Sequence, residues 1–112
     1  MDLIEIQRTF ERFLKERLWD RFSASQIFTH LIEELGEISR YISISENYKL
    51  IGLGHDAPKE DNLSREFAQA FNLFLQLAIH FDIDLESSFL SELEHMKERF
   101  PADSWRDALE NK

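Results

Sequence analysis

A chain of 112 residues is long enough for one core, and 43% hydrophobic residues with ten Phe supply the bulk for it, which excludes an intrinsically disordered protein. A formal charge of −9, from 22 acidic against 13 basic side chains, argues against a non-specific binder of nucleic acid or of an anionic membrane surface. Cysteine is absent, so disulfides and thiolate metal sites are excluded, and hard, oxygen-ligated cations remain.

Only three Gly and two Pro interrupt the sequence, which predicts long elements and an all-α chain of four to five helices. The first helix is expected from about Asp2 to Trp19, with Ile6, Phe10, Phe13 and Leu14 at three-and-four spacing. Asp20 to Phe22 break that pattern. Ser23 and Gln26 then have the spacing of a capping box, opening a second helix that reaches about Ile44 on a stripe of Leu31, Leu35, Ile38 and Ile42. From Ser43 to Asn62 periodicity fails around Asn47, Gly52, Gly54, Asp56 and Pro58, predicting a long loop of the kind that often serves a site.

Asp61 or Asn62 can cap a third helix from about Leu63 to Phe81. Phe67, Phe71, Phe74, Ala78 and Phe81 form its expected core stripe, and Leu73, Leu75, Leu77 and Ile79 cover its other sides. A helix apolar nearly all round must be buried nearly all round, which predicts a central position or a subunit interface, and with it a homodimer or homotetramer. Asp84 caps a fourth helix carrying Leu85, Phe89, Leu93, Met96 and Phe100, ended by Pro101, and Asp103 to Glu110 can form a short last helix. No apolar run reaches the ~18 residues of a spanning helix. The charged start, Met1 to Glu5, is unlike a secretion signal, so the expected compartment is the cytoplasm, with no membrane partner.

On a helix turning about 100° per residue, Glu34 and Glu37 fall together on one shoulder of the second-helix stripe, with His30 and Tyr41 beside them, while Glu33 points further away. Carboxylates one turn apart at the edge of a core repel, and a cation such as Mg²⁺ compensates them. Glu66 lies on a shoulder of the third helix, so antiparallel packing of the two helices would bring Glu34, Glu37 and Glu66 around one ion. Glu-Glu-x-x-Glu also occurs on many solvated helices, and the pentad alone is weak evidence.

His30 to Ile38, reading HLIEELGEI, resembles the first motif of the MazG-like nucleotide pyrophosphohydrolases. Arg65 to Gln69 (REFAQ), the apolar helix after it and Phe81 to Glu86 (FDIDLE) resemble the second motif and its continuation, so that the resemblance covers about residues 23 to 101. It implies a MazG-like helical bundle that uses Mg²⁺, with Mn²⁺ as a substitute, to cleave a (deoxy)nucleoside triphosphate into monophosphate and pyrophosphate. By position it implies Glu34, Glu37, Glu66 and Gln69 as metal ligands, and Glu33 as an added catalytic carboxylate nearby that orients or activates the water.

The family's second motif is Glu-x-x-Asp, and this chain has Gln69 at the Asp position. An amide oxygen can ligate a metal but supplies no charge, so weakened affinity, a changed preference and a non-catalytic relative that binds a nucleotide or protein partner all stay open. Asn72, one turn on, points to a different side of the helix. Lys97 and Arg99 resemble the basic residues that close the family's last motif helix and meet phosphates, and equally suit the C-terminal end of a helix dipole. Trp19 and Phe22 occupy a region where the family places aromatics that stack on the base, a position that also suits core packing. His30 and His55 are candidates for acid-base work or substrate contact, and Lys49 for a phosphate contact from the loop.

Overall fold

The computed structural model describes residues 1–55 and 62–111. Five α-helices make up this part: α1 (Leu3–Glu16), α2 (Ala24–Ser45), α3 (Leu63–His80), α4 (Leu85–Arg99) and α5 (Ala102–Glu110). None is long and apolar enough to cross a membrane.

Local chemistry starts four of them. Asp2, Asn62 and Asp84 each accept a hydrogen bond from the backbone N–H three residues on, at Glu5, Arg65 and Ser87. The capping box at α2 forms in full: Gln26 N–H donates to Ser23 Oγ at 3.2 Å and Ser23 N–H to Gln26 Oε1 at 2.9 Å. The first helix stops at Glu16 rather than Trp19. Arg17 N–H closes on the Leu14 carbonyl, Leu18 turns into the left-handed region at φ 59°, and Trp19–Arg21 form a single 3₁₀ turn. Beyond α2, Asn47 is left-handed, and Gly52 and Gly54 take positive φ around a bridge between Ile51 and His55. The sequence-based loop boundary at Asn62 agrees with the start of α3, whereas Asp56, Pro58 and Asp61 lie outside the described residues.

The core is the contact between α2 and α3, where Leu31 and Ile38 meet Ala70 and Leu73. α1 covers another side of α3, with Leu14 fully buried. Gln7 ties α1 to the turn between α3 and α4: its Nε2 donates to the Ile83 carbonyl at 2.6 Å, and its Oε1 accepts from Leu85 N–H at 3.2 Å. Using both ends of one buried amide satisfies two backbone groups that the turn would otherwise leave to solvent.

Two expected core stripes are corrected by this packing. On α2 the buried line is Ile27, Leu31 and Ile38, while Leu35 and Ile42 remain 45% and 44% exposed. On α3 the buried face includes Glu66, Ala70 and Leu73, and of the expected stripe Ala78 is buried whereas Phe67, Phe71, Phe74 and Phe81 are all exposed. The physical reason lies in size: Ala70 gives a shallow line on which α2 can lie close, and a row of Phe would hold the helices apart. α4 and α5 bury no residue, and α4 meets the rest of the described chain mainly through α1.

Candidate functional site

One cavity, of about 460 Å³, opens where the 3₁₀ turn meets the α2–α3 pair. Trp19 and Phe22 supply aromatic walls, Gln26, Ile27 and His30 come from the first turns of α2, and Asn72, Leu73 and Gln76 from the second half of α3. Gln76 is buried and donates from Nε2 to the Trp19 carbonyl at 3.2 Å, which fixes the turn that carries the indole.

That lining also fixes the direction of the helices. The start of α2 lies against the later half of α3, so the two run antiparallel, His30 level with Leu73. One turn further along α2, and one turn back along α3, the same register sets Glu34 level with Gln69, and a second turn sets Glu37 level with Glu66. Because the helices are antiparallel, equal rotation from the contact line reaches the same side of the pair on both. His30, Glu34 and Glu37 therefore share a side with Gln69, Asn72 and Gln76, and Asn72, expected on a different side, stands only about 60° of rotation from Gln69.

Burial differs among these carboxylates. Glu66 is only 3% exposed, although it stands in the first turn of α3, where the helix dipole favours an anion. The side chains of Glu34 and Glu37 are 20% and 18% exposed, and each meets a basic group one turn along α2. His30 Nε2 is 3.4 Å from Glu34 Oε1, and Arg40 Nη1 is 3.9 Å from Glu37 Oε2. The buried line on α2 runs closer to Glu34 than the expected stripe did, so Glu34 sits deeper than a shoulder position implies. Glu33 is exposed, on the side the rotation gives it.

Register aligns the four candidate ligand positions, but the side chains are not gathered. Among the described residues no group of three or more His, Asp or Glu has the arrangement to hold a metal ion. As donors, three carboxylates and an amide suit a hard cation such as Mg²⁺. Seating one would require Glu34 to turn from His30 and Glu37 from Arg40.

No protein-family model matches this chain, and no curated protein matches it significantly.

Trp19 and His30 are brought together at the cavity, and His30 links it to Glu34. Lys97 and Arg99 stand elsewhere. Lys97 pairs with Glu94 at 3.0 Å, and Arg99 lies over the Phe100 ring at 5.2 Å beside a separate hollow on α4. His55 is exposed near the end of the described part of the connection, and Lys49 is held there by its N–H to the Ser43 carbonyl. Sequence reasoning missed Gln26, Gln76 and Arg40. The i,i+3 spacing of Glu37 and Arg40 was a usable signal, as were amides recurring on the polar side of α3.

Proposed function

We propose that the protein is a nucleotide pyrophosphohydrolase that converts a (deoxy)nucleoside triphosphate to the monophosphate and pyrophosphate. The observation that carries this reading is the continuity of one side of the α2–α3 pair. An aromatic- and amide-lined cavity leads through His30 to Glu34 and on to the register positions of Glu37, Glu66 and Gln69. The resemblance of HLIEELGEI and REFAQ to the MazG-like motifs supports the same roles.

In this reading Trp19 and Phe22 flank the base, and Gln26 and Asn72 offer amide groups to its polar edge. His30 lies between base and phosphates, and donates to a phosphate oxygen once released from Glu34. Glu34, Glu37 and Glu66, with the Gln69 carbonyl, would hold Mg²⁺ or Mn²⁺, and such an ion would supply charge neutralisation for the phosphates and lower the pKa of a water. Glu33, exposed one position before Glu34, would serve as the general base that orients the attacking water. Lys97 and Arg99, distant from this side within one chain, belong to phosphate binding only if a second chain presents them. The cytoplasm, with its nucleotide pool, is the matching compartment.

The test is pyrophosphate release from a panel of triphosphates with Mg²⁺ or Mn²⁺. Glu37→Gln is expected to lower the rate about 100-fold or more, the scale of removing a metal-positioning group. Inactivity of the wild type on every triphosphate, or full activity of the variant, would overturn the assignment.

Gln69 and the ungathered carboxylates favour a second reading, a non-catalytic relative that binds a nucleotide or a protein partner. Gln69→Asp separates the two: a large gain from a silent parent supports the non-catalytic reading, and a loss from an active parent shows an amide suited to its site.

A further inference from the structure

Two amides at one end of the Trp19 cavity are locked in opposite senses. Gln76 Nε2 donates to the Trp19 carbonyl at 3.2 Å, and Gln26 Oε1 accepts from Ser23 N–H at 2.9 Å. A backbone carbonyl only accepts and a backbone N–H only donates, so neither side chain can turn its amide over. Gln76 therefore keeps Oε1 as an acceptor, and Gln26 keeps Nε2 as a donor. Among the described residues no donor meets Gln76 Oε1 and no acceptor meets Gln26 Nε2, although Gln76 is only 6% exposed. A buried carbonyl oxygen without a protein partner is left for water or for an N–H of a ligand.

The helical register puts the two amides at one level. Gln26 lies one turn before His30 on α2, and Gln76 one turn beyond Leu73 on α3, both on the end away from Glu34 and Gln69. With phosphates at the carboxylates, a base held between Trp19 and Phe22 turns the edge furthest from its sugar to this end. Buried Gln76 meets the group across the ring from the glycosidic bond, and exposed Gln26 meets the ring position beside it. Cytosine and adenine carry an amino group there with a bare ring nitrogen next to it, a donor for Gln76 and an acceptor for Gln26. Uracil, thymine, guanine and hypoxanthine carry a keto oxygen with a ring N–H next to it, so that carbonyl faces carbonyl and N–H faces N–H.

We infer, on the reading of this cavity as a nucleotide site, that Gln76 determines base specificity and selects nucleotides of amino-bearing bases, cytosine and adenine, over their keto counterparts. The selection comes from rejection. A keto base would leave the buried Gln76 oxygen against a second acceptor with no water to separate them, and a site with a fixed polar group discriminates far better this way than by shape. Asn72 has no such lock among the described residues and can turn either end to the base, so it adds contact without choosing.

Calorimetric titration of the full chain with nucleoside monophosphates in Mg²⁺ tests the preference. Deoxycytidine monophosphate is expected to bind at least about tenfold more tightly than deoxyuridine monophosphate, and deoxyadenosine monophosphate than deoxyinosine monophosphate, the scale of one mispaired buried group. Purine deoxyriboside monophosphate, with only hydrogen in place of the amino group, is expected between the last two. Gln76→Leu removes the acceptor and should bring each pair within about threefold. A wild-type ratio below about threefold, a preference for the keto partner, or no binding of any monophosphate at about 10 mM overturns the inference. So does a folded Gln76→Leu variant that keeps the wild-type ratios. Should that variant unfold, the purines decide on the wild type alone: the unsubstituted purine binding as tightly as adenine overturns the inference, and the order amino, hydrogen, keto upholds it. No triphosphate is cleaved in these titrations, so an inactive chain can still show the preference and an active one can lack it.

Discussion

The two sides of the α2–α3 pair are built from the same helices yet differ in almost every respect. One carries Glu34, Glu37 and Gln69 beyond an aromatic cavity lined by Asn72 and Gln76; the other presents six large apolar side chains, Phe28, Ile32 and Leu35 on α2 and Phe67, Phe71 and Phe74 on α3, and no charge. Between them runs a narrow contact line, Leu31 and Ile38 against Ala70 and Leu73. An acidic side is tolerable on a small domain when it is solvated or neutralised by a cation, whereas an apolar side of this extent is rare on a single small chain. The rotation of α3 about its own axis decides which residues fall on each side, and small residues on the contact line set that rotation.

The largest effect is expected on the line itself. Leu73→Ala removes a buried side chain shared by both sides and should lower the unfolding free energy by about 2–5 kcal/mol in urea titration. A loss below about 1 kcal/mol would mean that the helices are held together from one side only.

On the polar side, Gln76→Ala breaks the hydrogen bond to the Trp19 carbonyl and should cost about 1 kcal/mol, with Trp19 emission shifted to the red as the turn loosens. Unchanged emission would show that the turn is held by Phe13 and the indole, which meet edge to face at 5.7 Å, rather than by the amide.

The smallest effect belongs to the rim of the apolar side. A Cβ at Gly36 meets nothing within 4 Å in the chain. Gly36→Ala should therefore stabilise α2 by about 0.5–1 kcal/mol in urea titration, through helix propensity alone. A destabilisation there would place a neighbour against Gly36 that the single chain does not contain.

Much of the fold was legible because it depends on neighbours in sequence. The capping box at Ser23 and Gln26, and the caps at Asn62 and Asp84, were readable because a side chain and a backbone N–H three residues apart meet whatever the rest of the chain does. The end of α1 was misjudged by three residues, since apolar Leu18 and Trp19 continue the pattern while the backbone turns left-handed at Leu18. At the site, the sequence separated Glu34 and Glu37 from Glu33 correctly and set Glu66 on the facing helix, but missed Gln26 and Gln76. Their part in the cavity exists only once Trp19 is folded against α3.

By itself, the sequence determined an all-helical chain, its capped boundaries and an acidic shoulder on α2, all consequences of hydrogen bonds and periodicity within a few residues. Only the tertiary structure decided that α3 turns Glu66, Ala70 and Leu73 inward and leaves Phe67, Phe71 and Phe74 outside. A helix apolar on most of its faces has no local preference among them. The choice falls to the closest approach of another helix, which depends on residues some thirty-five positions away in sequence.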